Sequence, residues 1–282
     1  LVTKPADGWG SHGVYLLDTV GELEERYDDV ARYSTADHIL CERYDDGHEF
    51  NLMSWVVDGE PVVLEVADRE KSREVAHVVP HVSRIVYPSR LTDVVLDAAR
   101  DILRRVARYV GLDCGPLCMQ FFWSPARGIQ VCECAGRIFG YEHELLELAG
   151  DLAVEDLLLD WAYDRDALRE RLAGHDPHLP RVAAGLYFHG HEGVVARVEG
   201  VPDAGADPMV AESLAYYEPG ERIGHAVGDK PYAVRVYLVG DGYEAVDART
   251  AELFEHVRVE DARGANLLYH DELGAYPELA GR

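Results

Sequence analysis

The 282-residue sequence predicts an α+β fold. Apolar–polar alternation marks short strands joined by turn residues, as around Asp58-Gly59 and around Ser124–Gly128. Apolar residues recur at helical spacing between 91 and 110 and again between 142 and 172. Strand pairs and helices therefore alternate along the chain, and we see no internal repeat.

The first 67 residues are predicted to form one compact α+β unit. Its predicted strands are 1–7, 14–18, 38–44, 50–58 and 61–67. Thr19 and Glu22 have capping-box spacing, which predicts a helix from there to about Tyr33. We expect 38–44 to pair with 50–58, and Asp58-Gly59 to turn the chain into the strand that follows.

The rest of the chain is predicted to contain two further units, so that the domains are 1–67, 68–174 and 181–282. A polar stretch at 68–90 is expected to be irregular, and the helix after it to end near Gly111. The remaining predicted elements are a strand pair at 117–123 and 129–135, a helical region at 142–172, a linker at 175–180, short strands near 182–198 and 231–239, and a helix near 243–256.

The composition excludes several classes of protein. Asp and Glu number 52 against 27 Lys and Arg, a formal net charge of −25. This charge argues against non-specific binding to nucleic acid, because phosphate attraction needs clustered basic side chains. No apolar run approaches the ~18 residues of a membrane-spanning helix. The negative total does not exclude an anionic ligand, which responds to a local site.

The cysteines indicate a cytoplasmic protein with reduced thiols. There are five, at positions 41, 114, 118, 132 and 134, and no secretory signal accompanies this odd number. Four of them could bind zinc as thiolates, although their spacing matches no usual zinc pattern. Small apolar side chains packed in strands are the alternative.

A lysine and a group of glycines lie near the N terminus: Lys4, Gly8, Gly10, Ser11 and Gly13. Between two strands, glycines let backbone N–H groups converge on a phosphate, with Lys4 as a nearby point charge. A Walker A loop would lead into a helix, so this is a different phosphate-binding device. On this feature alone, a flexible hairpin with an exposed lysine is the alternative.

Two acids, Glu42 and Glu49, stand seven positions apart around a turn at Gly47. They could accept hydrogen bonds from an adenine amino group and a ribose hydroxyl. Solvated acidic chain is the alternative.

A third group lies on the strand pair that follows the long helix. Strand alternation places Glu133, Ala135 and Arg137 on one face, with Gln120 within reach on the neighbouring strand. Oxygen ligands from Gln120 and Glu133 suit Mg²⁺. Arg137 could bind a carboxylate or phosphoryl oxygen. A surface ion pair between Glu133 and Arg137 is the alternative.

Taken in order, these groups resemble the ATP-grasp superfamily of carboxylate–amine ligases. The matching segments are 2–14, 41–49, 119–122 and 132–137. The resemblance covers about residues 1–165, whereas 183–270 are similar, more loosely, to the C-terminal subdomain of biotin-carboxylase-like and L-amino-acid-ligase-like members. It implies an ATP-grasp fold, in which two α+β subdomains sandwich the nucleotide, with a smaller C-terminal α+β subdomain.

The resemblance also implies roles for individual residues. The loop that holds the ATP phosphates would comprise Lys4, Gly8, Gly10, Ser11 and Gly13. Glu42 would contact the adenine amino group and Glu49 the ribose. Gln120 and Glu133 would bind Mg²⁺ or Mn²⁺, and Arg137 would lie over the reacting phosphate or substrate.

Two departures from the family pattern matter. Ala135 stands where the family has Asn, which should weaken a second metal site without abolishing ATP binding, because water can fill a Mg²⁺ position. The sequence begins at Leu1 without an initiator Met, which we interpret as truncation of a longer protein. We expect the family's N-terminal domain upstream, and the isolated chain to be inactive.

The implied activity is an ATP-dependent ligase that activates a carboxylate as an acylphosphate, which an amine then attacks, with amino-acid ligation as the leading variant. The implied partners are a small carboxylate and a small amine, and a homodimer is a candidate assembly. Glu142 and His143 are candidates for substrate contact or for deprotonating the amine. A surface at a helix N terminus is the alternative for both.

Three other interpretations stay open. A biotin carboxylase would need a biotinylated partner, and the chain contains no Ala-Met-Lys-Met acceptor motif. A carbamoyl-phosphate synthetase fragment would fit Gln120 but fits the C-terminal region less well. A catalytically silent ATP-binding module is suggested by Ala135.

Overall fold

The strands and helices group into two compact units. A computed structural model describes residues 1–8, 12–36, 38–71, 82–140, 142–224, 230 and 232–269. Among these, the residues within Leu1–Asp46 form unit 1. Gly47–Lys71 and the described residues from Val82 onward form unit 2.

Unit 1 is a three-stranded antiparallel sheet with one helix. Its elements are β1 (Val2–Pro5), β2 (Tyr15–Leu16), α1 (Gly21–Ala31) and β3 (Ile39–Glu42), and β1 is the central strand. The Glu22 N–H donates to Thr19 Oγ1 at 3.4 Å, and the Thr19 hydroxyl donates to Glu22 Oε1 at 3.0 Å. The predicted helix is therefore confirmed, whereas the capping box is met only in part. Glu22 Oε2 accepts from the Asp18 N–H, and Val20, the N-cap residue, makes no side-chain cap hydrogen bond.

Unit 2 contains the remaining strands and helices. In chain order they are β4 (His48–Val57), β5 (Glu60–Lys71), β6 (Val82–Tyr87), α2 (Thr92–Val110), β7 (Gly115–Ser124), β8 (Gly128–Ala135), α3 (Glu144–Gly150), α4 (Val154–Tyr163), α5 (Arg165–Leu172), β9 (Val182–Phe188), β10 (Gly193–Val194), β11 (Arg197–Glu199), β12 (Val210–Ala215), β13 (Arg222–Ile223), β14 (Val234–Gly240), α6 (Tyr243–His256) and β15 (Arg258–Glu260).

An eight-stranded antiparallel sheet organises unit 2, in the order β12-β14-β9-β6-β5-β4-β7-β8. One face packs against α3, α4 and α5 around Trp55, Tyr87 and Leu145. The opposite face packs against α2 at one end and α6 at the other. The core therefore lies on both sides of the sheet, and a polar side chain on it is buried unless it lies near an edge.

Glycines end two of the predicted elements where the sequence indicates. Asp58 and Gly59 both have positive φ, 52° and 78°, as a two-residue turn between β4 and β5 requires. α2 ends at Gly111, whose φ of 69° is left-handed. The predicted turn and helix end are confirmed.

The predicted pairing of 38–44 with 50–58 is wrong. β3 pairs with β1, and β4 instead lies between β5 and β7. Alternation identifies a strand but not its partner. β4 is buried along nearly its whole length, which is typical of a central strand covered on both faces.

The predicted irregular stretch at 68–90 is also wrong. β5 continues to Lys71, and Val82–Tyr87 form β6 between β5 and β9. Charged residues obscure the apolar–polar alternation of these strands, and they can lie within the sheet because they form ion pairs. Arg84 Nε, for example, lies 2.7 Å from Glu70 Oε2. The predicted helical region at 142–172 is three helices, separated at Asp151 (φ 56°) and at Asp164, which caps α5.

The expected domains at 1–67, 68–174 and 181–282 stay a prediction. The two compact units group the residues differently, because β4 and β5 share the large sheet with β9 and β14.

No helix among the described residues is both long enough and apolar enough to cross a membrane.

Candidate functional site

The predicted site residues fall in both units, and each set is described by itself. Unit 1 carries Lys4, Gly8, Gly13 and Glu42. Unit 2 carries the rest, which are Glu49, Gln120, Glu133, Arg137, Glu142 and His143. Gly10 and Ser11 lie outside the described residues.

Lys4 and Glu42 form an ion pair in unit 1, with Lys4 Nζ 2.6 Å from Glu42 Oε2. β1 and β3 are antiparallel neighbours, with Val2 opposite Glu42 and Lys4 opposite Leu40, so the two charged residues are diagonal neighbours. The predicted phosphate-binding lysine and the predicted adenine-binding acid thus lie together.

The glycine-rich segment is held at both of its described ends. Gly13 has a φ of 73°, and a Cβ there would lie 2.7 Å from Tyr33 Cδ2, so a larger residue would be strained and crowded. Before the segment, Asp7 accepts hydrogen bonds from the Ser34 and Thr35 hydroxyls and from the Thr35 N–H. These hydroxyls, Ser34 first, lower the pKa of Asp7 to about 2. The segment therefore starts from a fixed point beside the end of α1.

Glu49 is buried on β4 among two cations and an amide. Lys71 Nζ lies 2.5 Å from its Oε2 and Arg69 Nε 3.2 Å from its Oε1, and Gln120 Nε2 donates to Oε1 at 2.5 Å. Burial alone would raise the pKa of Glu49, but Arg69, Lys71 and these hydrogen bonds hold it below its ordinary value. Glu49 is thus a carboxylate anchored between charges, and its predicted contact with ribose stays a prediction.

Gln120 and Glu133 are directly opposite each other on β7 and β8, and Asn51 on β4 is opposite Gln120. Directly opposite residues of antiparallel strands share a face. The register therefore lines up Asn51, Gln120 and Glu133 across three strands, at about 5 Å per strand. The sequence predicted Gln120 and Glu133 as site residues, but it did not predict Asn51.

The residues of this row fit a magnesium ion. Since the Gln120 amide nitrogen donates to Glu49, its carbonyl oxygen is left as an acceptor. The Glu133 side chain is 54% exposed, and its contact with Arg137 Nη2 is loose, at 3.8 Å. Mg²⁺ commonly takes one or two protein oxygens and keeps waters and phosphate oxygens as its other ligands. Among the described residues no group of three or more His, Cys, Asp or Glu could hold a metal ion.

Arg137 lies just beyond β8, with its side chain 54% exposed. Its Nη1 donates to the Ile138 carbonyl at 3.0 Å, and its guanidinium lies 5.6 Å from the centre of the Phe139 ring. Ala135 is opposite Cys118 and packs against the apolar core. An amide at position 135 would therefore meet apolar neighbours on this side.

Glu142 is buried, 3% exposed, and lies against the same face of the sheet. Asn51 Nδ2 donates to its Oε1 at 2.5 Å, while Arg69 Nη1 donates to Asn51 Oδ1 at 3.1 Å. Burial raises the pKa of Glu142 to about 7, although Arg69, Asn51 and Tyr87 act against it. A carboxyl that titrates near neutral pH is suited to accepting a proton.

His143, next to Glu142, faces a neighbouring helix. Its Nε2 lies 3.0 Å from Glu155 Oε1 in the first turn of α4. This contact ties the start of α3 to α4. The predicted role of His143 in substrate contact stays a prediction.

Sequence reasoning missed three further members of this cluster: Asn51, Arg69 and Lys71. Arg69 and Lys71 alternate with Asp68 and Glu70 at the end of β5. That two-residue alternation of charge is itself a strand signal, with one sign of charge on each face. Nothing in the pattern around Asn51 distinguishes it from other polar strand residues.

Comparisons with solved structures show the fold. An L-amino acid ligase from Bacillus licheniformis superimposes with a TM-score of 0.73 at 19% identity, over 92% of this chain and 63% of that one. Phosphoribosylglycinamide synthetase from Anaerococcus prevotii has a TM-score of 0.63 at 11% identity, over 92% and 64%. The biotin carboxylase domain of Hydrogenobacter thermophilus 2-oxoglutarate carboxylase, solved with MgADP, ADP and bicarbonate, has a TM-score of 0.64 at 14% identity, over 92% and 57%.

Sequence comparisons show the family. An uncharacterized protein of Sinorhizobium fredii, y4rH, is 26% identical over 247 residues, which are 82% of this chain and 48% of that protein. The chain thus spans about half the length of this curated relative. A sequence model of the ATP-grasp domain matches residues 1–143, more than half of the 282 residues. Together with the shared fold, this match shows that the chain belongs to the ATP-grasp family.

Proposed function

We propose that this protein is an ATP-dependent ligase that activates a carboxylate as an acylphosphate for attack by an amine. The observation that carries the proposal is the row of Asn51, Gln120 and Glu133, with Glu142 hydrogen-bonded to its first member. Two candidate oxygen ligands and a buried acid that titrates near neutral pH thus share one face of the sheet.

Each group has a chemical task in this proposal. Lys4 and the glycine-rich loop, Gly10 and Ser11 included, bind the ATP phosphates, and Glu42 and Glu49 bind the adenosine. Gln120 and Glu133 would hold Mg²⁺, which neutralises phosphate charge when bound. Arg137, exposed and loosely paired, binds the transferred phosphoryl group or the carboxylate.

Glu142 would take the proton that the amine releases. An ammonium group is not nucleophilic, so the amine must lose a proton before or during its attack on the acylphosphate. The attack forms the C–N bond, and inorganic phosphate leaves with the bonding electron pair. The acylphosphate must also be kept from water, a task suited to the glycine-rich loop acting as a lid.

Names of solved relatives favour a small amine and a small carboxylate as substrates. The L-amino acid ligase and phosphoribosylglycinamide synthetase are both named as ligases or synthetases. We propose an amino-acid ligase in preference to a carboxylase or a carbamoyl-phosphate synthetase. A homodimer in the cytoplasm is the proposed setting.

A screen tests this function. The 282-residue chain and, in parallel, the longest natural form that contains it are mixed with Mg-ATP and pairs of amino acids, and phosphate release is measured. The proposal expects release that requires both members of a pair. Release without an amine, or with bicarbonate as the only carboxylate, would point to another ATP-grasp activity.

A catalytically silent ATP-binding module is the second candidate, and Ala135 favours it. An apolar side chain at this position removes one neutral ligand from the metal site that the family resemblance implies. Binding of Mg-ATP by calorimetry, with no turnover for any pair in the longest natural form, would support this candidate and overturn the ligase.

A further inference from the structure

Glu65 is a buried acid to which the proposed reaction assigns no task. It lies on β5 opposite Met53 of β4, with a side chain that is fully buried. The Met53 N–H donates to its Oε1 at 2.8 Å. Within the described part of the chain, its Oε2 has no hydrogen-bond partner. A buried oxygen without a donor is costly for a carboxylate, whereas the hydroxyl of a carboxylic acid can itself donate.

Glu142 is anchored to the same strand, β4, at the residue next to Met53 on the same face. It is held by Asn51, and Asn51 and Met53 are two residues apart on β4, so both point to one side of the sheet. The two acids are thus anchored to neighbouring positions of one buried face. Two like charges in such a place cannot both be retained, so the pair keeps at least one proton at neutral pH.

The hydrogen bonds indicate which acid holds that proton. Arg69 can only donate, so the Asn51 atom that faces it at 3.1 Å must be the amide oxygen. The Asn51 nitrogen then faces Glu142 and donates to it. Glu142 is therefore linked to a guanidinium through a polarised amide, which favours its charged form. Within the described residues Oε2 has no hydrogen-bond partner in either acid, so the difference between them lies at Oε1. There, Glu65 receives a backbone N–H from Met53 and has no link to a guanidinium.

The titration behaviour of the pair agrees with this assignment. Burial, and then the charge of Glu142, raise the pKa of Glu65 well above its ordinary value, and Asp68 adds to the effect. Glu142 rises only to about 7. The other charged and titratable groups that interact electrostatically with the pair are Asp68, Arg69, Tyr87, Arg137 and Tyr187. The pKa values of the two tyrosines are raised, chiefly by burial, so they stay neutral.

We propose that Glu65 is a positioning residue that retains the last proton of the pair and thereby leaves Glu142 as the acid that ionises and faces the substrate. The role of Glu142 rests on the proposed function. The protonation of Glu65 does not, because it follows from contacts within the protein alone.

Infrared spectroscopy of protein labelled with ¹³C at the glutamate carboxyls tests the protonation directly. At about pH 8.5, above the range in which Glu142 titrates, wild type should retain one labelled carboxylic-acid band. The Glu65→Gln variant should lose this band, and Glu142→Gln should keep it. Absence of the band in wild type, its persistence in Glu65→Gln, or its loss in Glu142→Gln would overturn the proposal.

Kinetics on a responsive substrate pair test the positioning role. Glu65→Gln, a neutral isostere, should keep kcat and the acidic limb of the pH profile of kcat/KM. Glu65→Leu leaves the Met53 N–H without its acceptor and disturbs β4 beside Asn51, so it should lower kcat by about 10- to 100-fold while the KM for ATP stays the same. A loss in Glu65→Gln as large as that in Glu65→Leu would overturn the role. If Glu65→Leu does not fold, the kinetics of Glu65→Gln alone test the positioning role. If no substrate pair turns over, the proposed function fails, while the infrared result still tests the protonation of Glu65.

Discussion

Asn51 donates a 2.5 Å hydrogen bond to Glu142, a residue 91 positions away along the chain. The same amide accepts from Arg69, so a guanidinium, an amide and a carboxyl form one chain of hydrogen bonds across the buried face of the sheet. This chain links a cation near Glu49 to the acid proposed to accept the amine proton. It also makes Asn51 a structural requirement.

Replacing Asn51 with Ala should lower the free energy of unfolding by about 1–3 kcal/mol, because Glu142 and Arg69 both lose a buried partner. Urea denaturation measures this loss. Gln130→Ala is the matched control, since the Gln130 amide is exposed and donates to turn carbonyls. The control should stay within about 0.5 kcal/mol of wild type. Equal stabilities for the two variants would contradict the assigned chain.

Asp68 should make stability depend on pH. Burial raises its pKa from 3.8 to about 7, although the Ser89 hydroxyl donates to it. Since the folded pKa lies above the unfolded one, the unfolded chain releases this proton first as pH rises. The free energy of unfolding of wild type should therefore fall relative to that of Asp68→Asn between pH 3.8 and about 7, by up to about 1.4 kcal/mol per pH unit. Above that range the difference between the two proteins should stay constant.

Denaturation curves of both proteins across this range measure the difference. Asp97→Asn is the control, because the Asp97 side chain is 97% exposed, and its stability relative to wild type should not change with pH. A flat difference for Asp68→Asn as well would show that Asp68 titrates normally.

Lys4→Met should weaken the binding of ATP by about 10- to 100-fold, because a charge-assisted contact with phosphate is lost. Isothermal calorimetry with Mg-ATP measures the affinity. Lys230→Met is the matched control: Lys230 is also a lysine in an ion pair, with Nζ 2.6 Å from Glu221 Oε2, in unit 2. Lys4→Met should bind Mg-ATP more weakly than Lys230→Met does, and equal affinities would show that Lys4 does not contact the phosphates.

Glu133→Gln should reduce turnover by about 100-fold or more, because it removes the charged ligand of the proposed metal site. Phosphate release with a responsive substrate pair measures it. Glu60→Gln is the control, since the Glu60 side chain is 56% exposed on a strand and pairs with Arg104, as Glu133 does loosely with Arg137. Turnover of Glu133→Gln equal to that of the control would mean that the metal assignment is wrong.

Local patterns explain which parts of the site could be predicted. Gln120 and Glu133 lie on adjacent strands joined by a short turn, so alternation and turn position already bring them together. The turn at Gly59 would place Asp68, a second acid, opposite Glu49. A bulge between Met53 and Ser54 shifts the register by one residue and brings Arg69 there instead. Apolar–polar alternation does not signal such a bulge.

Long-range contacts account for the rest. Glu142 follows β8 in a segment without strand alternation, and its partner Asn51 is on a strand far back in the chain. β6 escaped prediction because Arg84 is buried through its pairing with Glu70 and Asp247, and composition alone reads such residues as solvated. The three ATP-grasp motifs identified the family, whereas local sequence patterns could not predict these long-range contacts.

The transfer of oxygen from the carboxylate to phosphate tests the central claim most directly. A substrate with ¹⁸O at both carboxylate oxygens is incubated with Mg-ATP, the amine and the protein, and the released phosphate is analysed by mass spectrometry. An acylphosphate requires a carboxylate oxygen to attack the γ-phosphorus and to leave with phosphate when the amine attacks the carbonyl carbon. Each released phosphate should carry one ¹⁸O, and phosphate without ¹⁸O would contradict the acylphosphate mechanism.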